Sequence, residues 1–167
     1  MATAAILVNG LPGAGKSTLA VKLALLLGCP MLSKDVIKEQ LAESTGLTVP
    51  SQRLGGIAMD TAWALASAIE DGVVIDSFWF HPRDRAFAAR GVQQTGATSV
   101  LEIWCDVPLE VARERYEARE RHSIHETTFG PWEGAEPLAL WPVVTVDTTS
   151  AVDFDGLLPE LARVLLG

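Results

Sequence analysis

The sequence predicts an α/β protein, a parallel sheet with helices packed on both faces. Three observations carry that prediction. Five short apolar runs alternate along the chain with segments whose apolar residues recur at helical spacing. The first run enters the loop Gly10-Leu11-Pro12-Gly13-Ala14-Gly15-Lys16-Ser17-Thr18, which matches G-x-x-x-x-G-K-[ST] from Gly10 to Ser17 and opens a helix. The chain has 167 residues, 49% of them hydrophobic, enough for one domain with a sizeable core and too few for a second.

Taken in order, Ala4-Ala5-Ile6-Leu7-Val8 reads as a buried strand, and residues 17–27 as a helix stopped by Gly28. Cys29-Pro30-Met31-Leu32 is a short second strand leading through Ser33-Lys34-Asp35 into a helix over residues 36–42. Residues 46–56, with Pro50 in the middle, form a loop or broken helix. Residues 57–71 are alanine-rich and helical, with Gly72 as the C-cap. Val73-Val74-Ile75-Asp76 is a buried strand ending in a carboxylate, and Ser77-Phe78-Trp79-Phe80-His81 an aromatic loop. Pro82 suits the first turn of a helix running to about Gln94. The fourth strand covers residues 100–105, and Pro108 opens a long charged helix to about His122. Residues 123–140 are rich in Gly, Pro and aromatics without a period, which predicts a lid or covering loop. Val143-Val144-Thr145-Val146-Asp147 is the fifth strand, and residues 152–166 a closing helix interrupted near its start by Pro159.

Charge and cysteine content narrow the setting. A net charge of −8 repels polyanions, so nucleic acid is not expected as a partner. Cys29 and Cys105 lack C-x-x-C spacing, as in a reduced protein with two buried thiols. Met1-Ala2-Thr3 carries no positive charge and the first apolar run feeds the glycine-rich loop, so no removable leader is expected. No apolar stretch reaches membrane-spanning length. The expected location is the cytoplasm, without membrane contact.

The glycine-rich loop carries the clearest chemistry. Backbone N–H groups from Gly13 to Lys16 curl around a β-phosphate, with Gly13 and Gly15 supplying conformations that a Cβ obstructs. Lys16 reaches the β- and γ-phosphates, the Ser17 hydroxyl holds Mg²⁺, and the following helix directs its positive end at the anion. Asp76 suits orientation of Mg²⁺ and its waters. Asp35 suits a base or orienter for an acceptor hydroxyl, the competing reading being a helix N-cap.

In the long charged helix, Arg113 is flanked by Glu110 and Glu117, and Arg121 by Glu117. Arg115 and Arg119 have no carboxylate three or four residues away, so on one helix face they await an anion such as a triphosphate. Phe78, Trp79, Phe80 and His81 are either an acceptor-facing group or core, and His122 closes the helix beside them. His122 and His125 have H-x-x-H spacing with no cysteine or further ligand nearby, so a metal site is not expected there.

G-L-P-G-A-G-K-S-T, S-K-D after the second strand, V-V-I-D in the third, R-Y-E-A-R-E-R-H in the charged helix and V-D-T-T after the fifth strand together resemble small P-loop kinases of the AAA_33 and zeta-toxin-like group. Chloramphenicol 3-O-phosphotransferase, gluconate kinase and polynucleotide 5′-kinase domains share that wider fold. The resemblance spans nearly the whole chain. It implies a three-layer sandwich with sheet order 2-3-1-4-5, a lid over about 121–140, and ATP with Mg²⁺ as cofactors. It implies nucleotide binding by Gly10, Pro12, Gly13, Ala14, Gly15, Lys16, Ser17 and Thr18. It makes Asp35 the acceptor-activating acid, Asp76 the strand-three acid, and Arg115, Arg119 and Arg121 lid arginines. Asp147-Thr148-Thr149 then shapes the adenine pocket. Asp35, Asp76, Phe78, Trp79, His81 and His122 are the candidate acceptor-side residues read from the chain itself. Neither the chloramphenicol nor the gluconate pocket is matched.

The expected activity is ATP- and Mg²⁺-dependent phosphorylation of a hydroxyl on a small molecule, an antibiotic among the candidates. A metabolite kinase of the gluconate or shikimate type is the alternative, and a nucleotide-binding regulatory module that transfers nothing is a third reading. A polynucleotide kinase fits less well because the chain is acidic. The acceptor, the preference for ATP over GTP and the oligomeric state are not written in the sequence.

Overall fold

The computed structural model describes residues 4–126 and 128–166. Met1-Ala2-Thr3, Thr127 of the expected lid, and Gly167 lie outside the described residues. Strands are β1 (Ala4–Gly10), β2 (Met31–Ser33), β3 (Val73–Asp76), β4 (Ser99–Asp106) and β5 (Val143–Asp147). Helices are α1 (Lys16–Leu27), α2 (Lys34–Ser44), α3 (Ser51–Ser67), α4 (His81–Thr95), α5 (Leu109–Ala118) and α6 (Phe154–Leu166). The strands form one all-parallel sheet in the order β2-β3-β1-β4-β5, as the resemblance implied. Among the described residues no helix is long and apolar enough to cross a membrane.

Alternation along β1 divides the core. Ile6 and Val8 face Leu19, Ala20 and Leu23 of α1 and Leu157 and Leu161 of α6, while Ala5 and Leu7 face Trp63 of α3 and Ala88 and Val92 of α4. Gly91 in α4 permits the second packing, since a Cβ there would stand 2.1 Å from the Trp63 ring. A third cluster joins α2, α3 and the segment after α5 through Ala42, Leu54 and Ile124. Burial on both faces accounts for the near-continuous apolar strands.

Several boundaries differ from the expectation. The second strand starts at Met31 and includes Ser33, because its ladder pairs Ser33 with Asp76. Gly55 and Gly56 belong to α3, which starts at Ser51 just after Pro50. That helix ends at Ser67 with Ala68 as C-cap, not Gly72, as Ile69 turns in to pack beside Trp63 and Ala66. Pro159 lies inside α6 without ending it. The largest correction is α5, which stops at Ala118 with Arg119 extended (φ −88°, ψ 130°). The described residues from Glu120 to Trp141, the segment for which the sequence suggests a lid, contain no helix or strand.

Candidate active site

The phosphate loop has the shape its glycines demand. Gly10, Gly13 and Gly15 have φ of 146°, 86° and 87°. At Gly13 packing adds a second constraint, because a Cβ would stand 2.1 Å from the Ala112 carbonyl oxygen of α5. The Ala14 N–H donates to the Leu11 carbonyl at 3.0 Å, and the Ala14 carbonyl accepts from Thr148 Oγ1 at 2.6 Å. The loop is therefore fastened to the segment after β5. Lys16 donates to the Leu11 carbonyl at 2.9 Å. Burial holds its pKa below the ordinary lysine value, and the Asp76 charge opposes that shift.

Asp76 is 3% exposed, and its Oδ2 accepts from Ser17 Oγ at 2.7 Å and Ser33 Oγ at 3.2 Å. Burial raises its pKa, with Lys16 and the Ser17 hydroxyl pulling the other way. A half-buried lysine whose ammonium donates to a loop carbonyl, at the N-terminus of a 12-residue helix, fits a bound phosphate. The hydroxyl and carboxylate oxygens at Ser17 and Asp76 fit a hard divalent cation such as Mg²⁺.

Asp35 is exposed in the first turn of α2, two residues beyond the N-cap, which is Ser33. Its charge reaches Lys16, Asp76, Lys38 and Tyr116. The capping reading is thus replaced by a carboxylate at a favourable helix N-terminus facing the phosphate loop.

The arginines are arranged differently from the expectation. Arg115 is not awaiting an anion: Nη1 donates to the Thr148 carbonyl at 2.9 Å and Nη2 to the Thr149 carbonyl at 2.8 Å. Arg119 does not share its helix face, because α5 has ended, and it is exposed. Arg121 folds back, donating to the Tyr116 carbonyl with its guanidinium 3.5 Å from the Tyr116 ring centroid. Arg113 lies 3.9 Å from Glu133 of the lid and over the Phe129 ring, in place of the expected pairs with Glu110 and Glu117. The Arg115 fastening walls a cleft of about 570 Å³ that includes Thr18, Leu19, Lys22, Val152 and Phe154. Apolar surface beside a cation, opening onto the phosphate loop at Gly15, suits a stacked nucleotide base.

The aromatic loop splits. Phe78 and Phe80 are half-buried and face Trp132 of the lid, with ring centroids 5.0 and 5.5 Å from it, and Lys16 Nζ is 5.8 Å from the Phe78 ring. Trp79 leaves the expected acceptor group: it is 3% exposed and stacks on Trp63 at 6.1 Å. His81 Nε2 is 3.0 Å from Arg85 Nη1, and its Nδ1 is 3.4 Å from Glu136 of the lid. His122 also leaves that group: its Nε2 is 2.6 Å from Glu43, and His125 Nε2 is 2.8 Å from Glu39. Glu43 is eight residues beyond Asp35 on α2, about 12 Å at 1.5 Å per residue. The sequence reading missed Ser33, Trp132, Asn9 and Glu102. A lone carboxylate inside the apolar run of β4 and an amide just before the phosphate loop are the signals that mark the last two.

Comparison with known proteins agrees with this geometry. Uncharacterized proteins of Mycobacterium bovis (Mb2027c) and Mycobacterium tuberculosis (Rv2004c) are 30% identical over 125 residues, 68% of this chain and 25% of each relative. The match thus spans about a quarter of those relatives' length. A candidate kinase from Chloroflexus aurantiacus J-10-fl superposes with a TM-score of 0.81 at 24% identity, covering 98% of this chain and 99% of that one. The Mycobacterium tuberculosis APS kinase CysC, solved with AMPPNP and APS, gives 0.64 at 18% identity, covering 98% and 97%. A gluconokinase from Sinorhizobium meliloti 1021 gives 0.57 at 19%, covering 98% and 88%. The fold is the one these P-loop kinases share. The AAA_33 family, described as an AAA domain, matches residues 6–131, three quarters of the chain, and to that family this protein belongs.

Proposed function

We propose that the chain is an ATP- and Mg²⁺-dependent phosphotransferase that moves the γ-phosphate to a hydroxyl of a small molecule. The observation that carries this reading is Asp35: a solvent-accessible carboxylate in the first turn of α2, within electrostatic reach of Lys16 and Asp76. A nucleotide switch has no use for an acceptor base there. Structures named as kinases share this fold, which supports the same reading.

In this proposal the Gly13–Lys16 backbone and the Lys16 ammonium hold the β- and γ-phosphates, and the Arg115 cleft holds the base. Ser17 and Asp76 hold Mg²⁺, which when bound neutralises phosphate charge. Asp35 accepts the hydroxyl proton and keeps the nucleophile in line, the main requirement of phosphoryl transfer. Phe78, Phe80 and Trp132, packed edge-to-face, offer the acceptor an apolar aromatic wall, which suits a ring-bearing molecule, an antibiotic included, better than a polyanion. The unpaired thiols of Cys29 and Cys105 suit a reducing, cytoplasmic setting.

The test incubates the protein with ATP, Mg²⁺ and a panel of antibiotics, sugars and nucleosides, and reads acceptor mass. Gain of one phosphate on a hydroxyl-bearing molecule supports the proposal. ATP binding with no mass gain and no acceptor-stimulated turnover across the panel favours a binding module instead.

A further inference from the structure

Phe78 and Phe80 belong to the loop after β3, whereas Trp132 belongs to the lid, so the aromatic wall has two separately held halves. Trp79, between the two phenylalanines, turns its indole into the core. Its Nε1 is buried with no hydrogen-bond partner among the described residues, so the indole gives the loop no polar anchor. The anchor is Asn9: Oδ1 accepts from the Trp79 N–H at 3.0 Å and the Gly10 N–H at 2.8 Å, and Nδ2 donates to the Trp79 carbonyl at 3.2 Å. Two donors on Oδ1 settle which end of the amide is oxygen.

The lid is held from the other side by Glu102. Its Oε1 accepts from the Leu138 N–H at 2.9 Å and its Oε2 from the Ala139 N–H at 3.0 Å, where the chain turns back toward β5. Ala139 has φ of 49°, a left-handed conformation that a residue with a Cβ keeps only when its surroundings impose it. The two anchors meet: Asn9 Nδ2 donates to Glu102 Oε1 at 2.8 Å, and both residues are 0% exposed. Three N–H donors replace water around the carboxylate, as a buried acid requires.

We propose that Asn9 and Glu102 are positioning residues, a buried amide–carboxylate bridge that holds the Phe78/Phe80 half and the Trp132 half of the acceptor wall in register and couples lid movement to the acceptor loop. The assignment of the wall to an acceptor rests on the proposed kinase function; the coupling does not. Glu102 does not line the base cleft, and it reaches the phosphate loop only through Asn9, whose Oδ1 also accepts from the Gly10 N–H.

Amide hydrogen exchange of the full chain, with AMPPNP and Mg²⁺, tests the coupling without turnover. In Glu102→Gln an amide N–H replaces one acceptor oxygen, so exchange at Leu138 and Ala139 should rise at least ~10-fold. Exchange at Trp79, which Glu102 does not touch, should rise with it, while AMPPNP affinity stays within about 2-fold of wild type. Val92→Ala, a core change in the same packed layer, should lower thermal stability without singling out these three amides. Should Glu102→Gln fail to fold, Glu102→Asp, which keeps the charge but shortens the reach, should show the same pattern in smaller measure. Wild-type protection at Trp79 while Leu138 and Ala139 loosen, or the same pattern in Val92→Ala, overturns the proposal. Absence of phosphoryl transfer would bear on the kinase reading alone.

Discussion

Ser17 Oγ stands 2.7 Å from Asp76 Oδ2, and Ser33 Oγ shares that oxygen, so the phosphate loop, β2 and β3 converge on one carboxylate. Asp76→Asn keeps the shape but loses the charge that attracts a divalent cation. The Mg²⁺ concentration for half-maximal AMPPNP binding should rise by ~10–100-fold. Unaltered metal dependence in a calorimetric titration would make Asp76 a structural residue.

The same carboxylate predicts a pH effect on the ligand-free protein. Burial raises Asp76 above 3.8, so between that value and its folded pKa the folded state binds more protons than the unfolded. Stability from this group is present below 3.8 and lost as pH rises through the window. Asp76→Asn does not titrate, so its thermal midpoint relative to wild type should climb from acid towards neutral pH. A difference that shrinks as pH rises contradicts the assignment.

Arg115 and Arg119 should behave differently. Arg115→Ala removes two charge-assisted hydrogen bonds to Thr148 and Thr149, and partial exposure limits the cost to about 1–3 kcal/mol. It also removes a wall of the base cleft, so AMPPNP affinity should fall together with thermal stability. Lysine should rescue only partly, since a point charge cannot span two carbonyls. Arg119→Ala, at an exposed helix end, should stay within ~0.5 kcal/mol of wild type. Equal losses of AMPPNP affinity at the two positions would refute the division.

Gly13→Ala meets both a φ of 86° and the Ala112 carbonyl 2.1 Å from the new Cβ. Accommodation requires α5 to move off the loop. We expect at least ~2 kcal/mol of destabilisation and loss of AMPPNP binding, read by denaturant melts and calorimetry. A variant that melts like wild type and still binds would mean that α5 does not pack on the loop as described.

Asp35→Asn separates proton acceptance from helix stability. The loss of a first-turn charge costs roughly 0.3–1 kcal/mol. Acceptor-dependent turnover should fall by ~10²–10⁴-fold with AMPPNP affinity little changed. Retained turnover would move the base elsewhere.

The phosphate loop and the five strands were legible in the sequence because each rests on local pattern: glycine spacing, apolar runs and a lysine-serine pair; the order of the strands came from the family resemblance. Residues 119–125 were not, because distant contacts decide them. Helix propensity favours continuation through Glu120 and Arg121, but Arg121 turns back onto Tyr116, and His122 and His125 are drawn to Glu43 and Glu39 of α2. With α5 shortened, Arg115 and Arg119 no longer share a face, and the sequence spacing that paired them loses its meaning. Trp79 and Phe78 are adjacent, yet one enters the core and the other the site, with Asn9 holding the Trp79 N–H and carbonyl between them. Glu102 shows its purpose only when Leu138 and Ala139 arrive from 36 and 37 residues away.

Transfer of a phosphoryl group, rather than mere holding of a nucleotide, is what separates a kinase from a binding module at this site. The direct measurement follows ATP labelled on its γ-phosphate, with Mg²⁺ and the best acceptor from the panel, in wild type and Lys16→Ala. Label should appear on the acceptor hydroxyl in wild type, in step with ADP formation, and not with Lys16→Ala, which lacks the ammonium of the phosphate loop. Label recovered only as inorganic phosphate, or equal transfer by Lys16→Ala, would contradict the kinase reading.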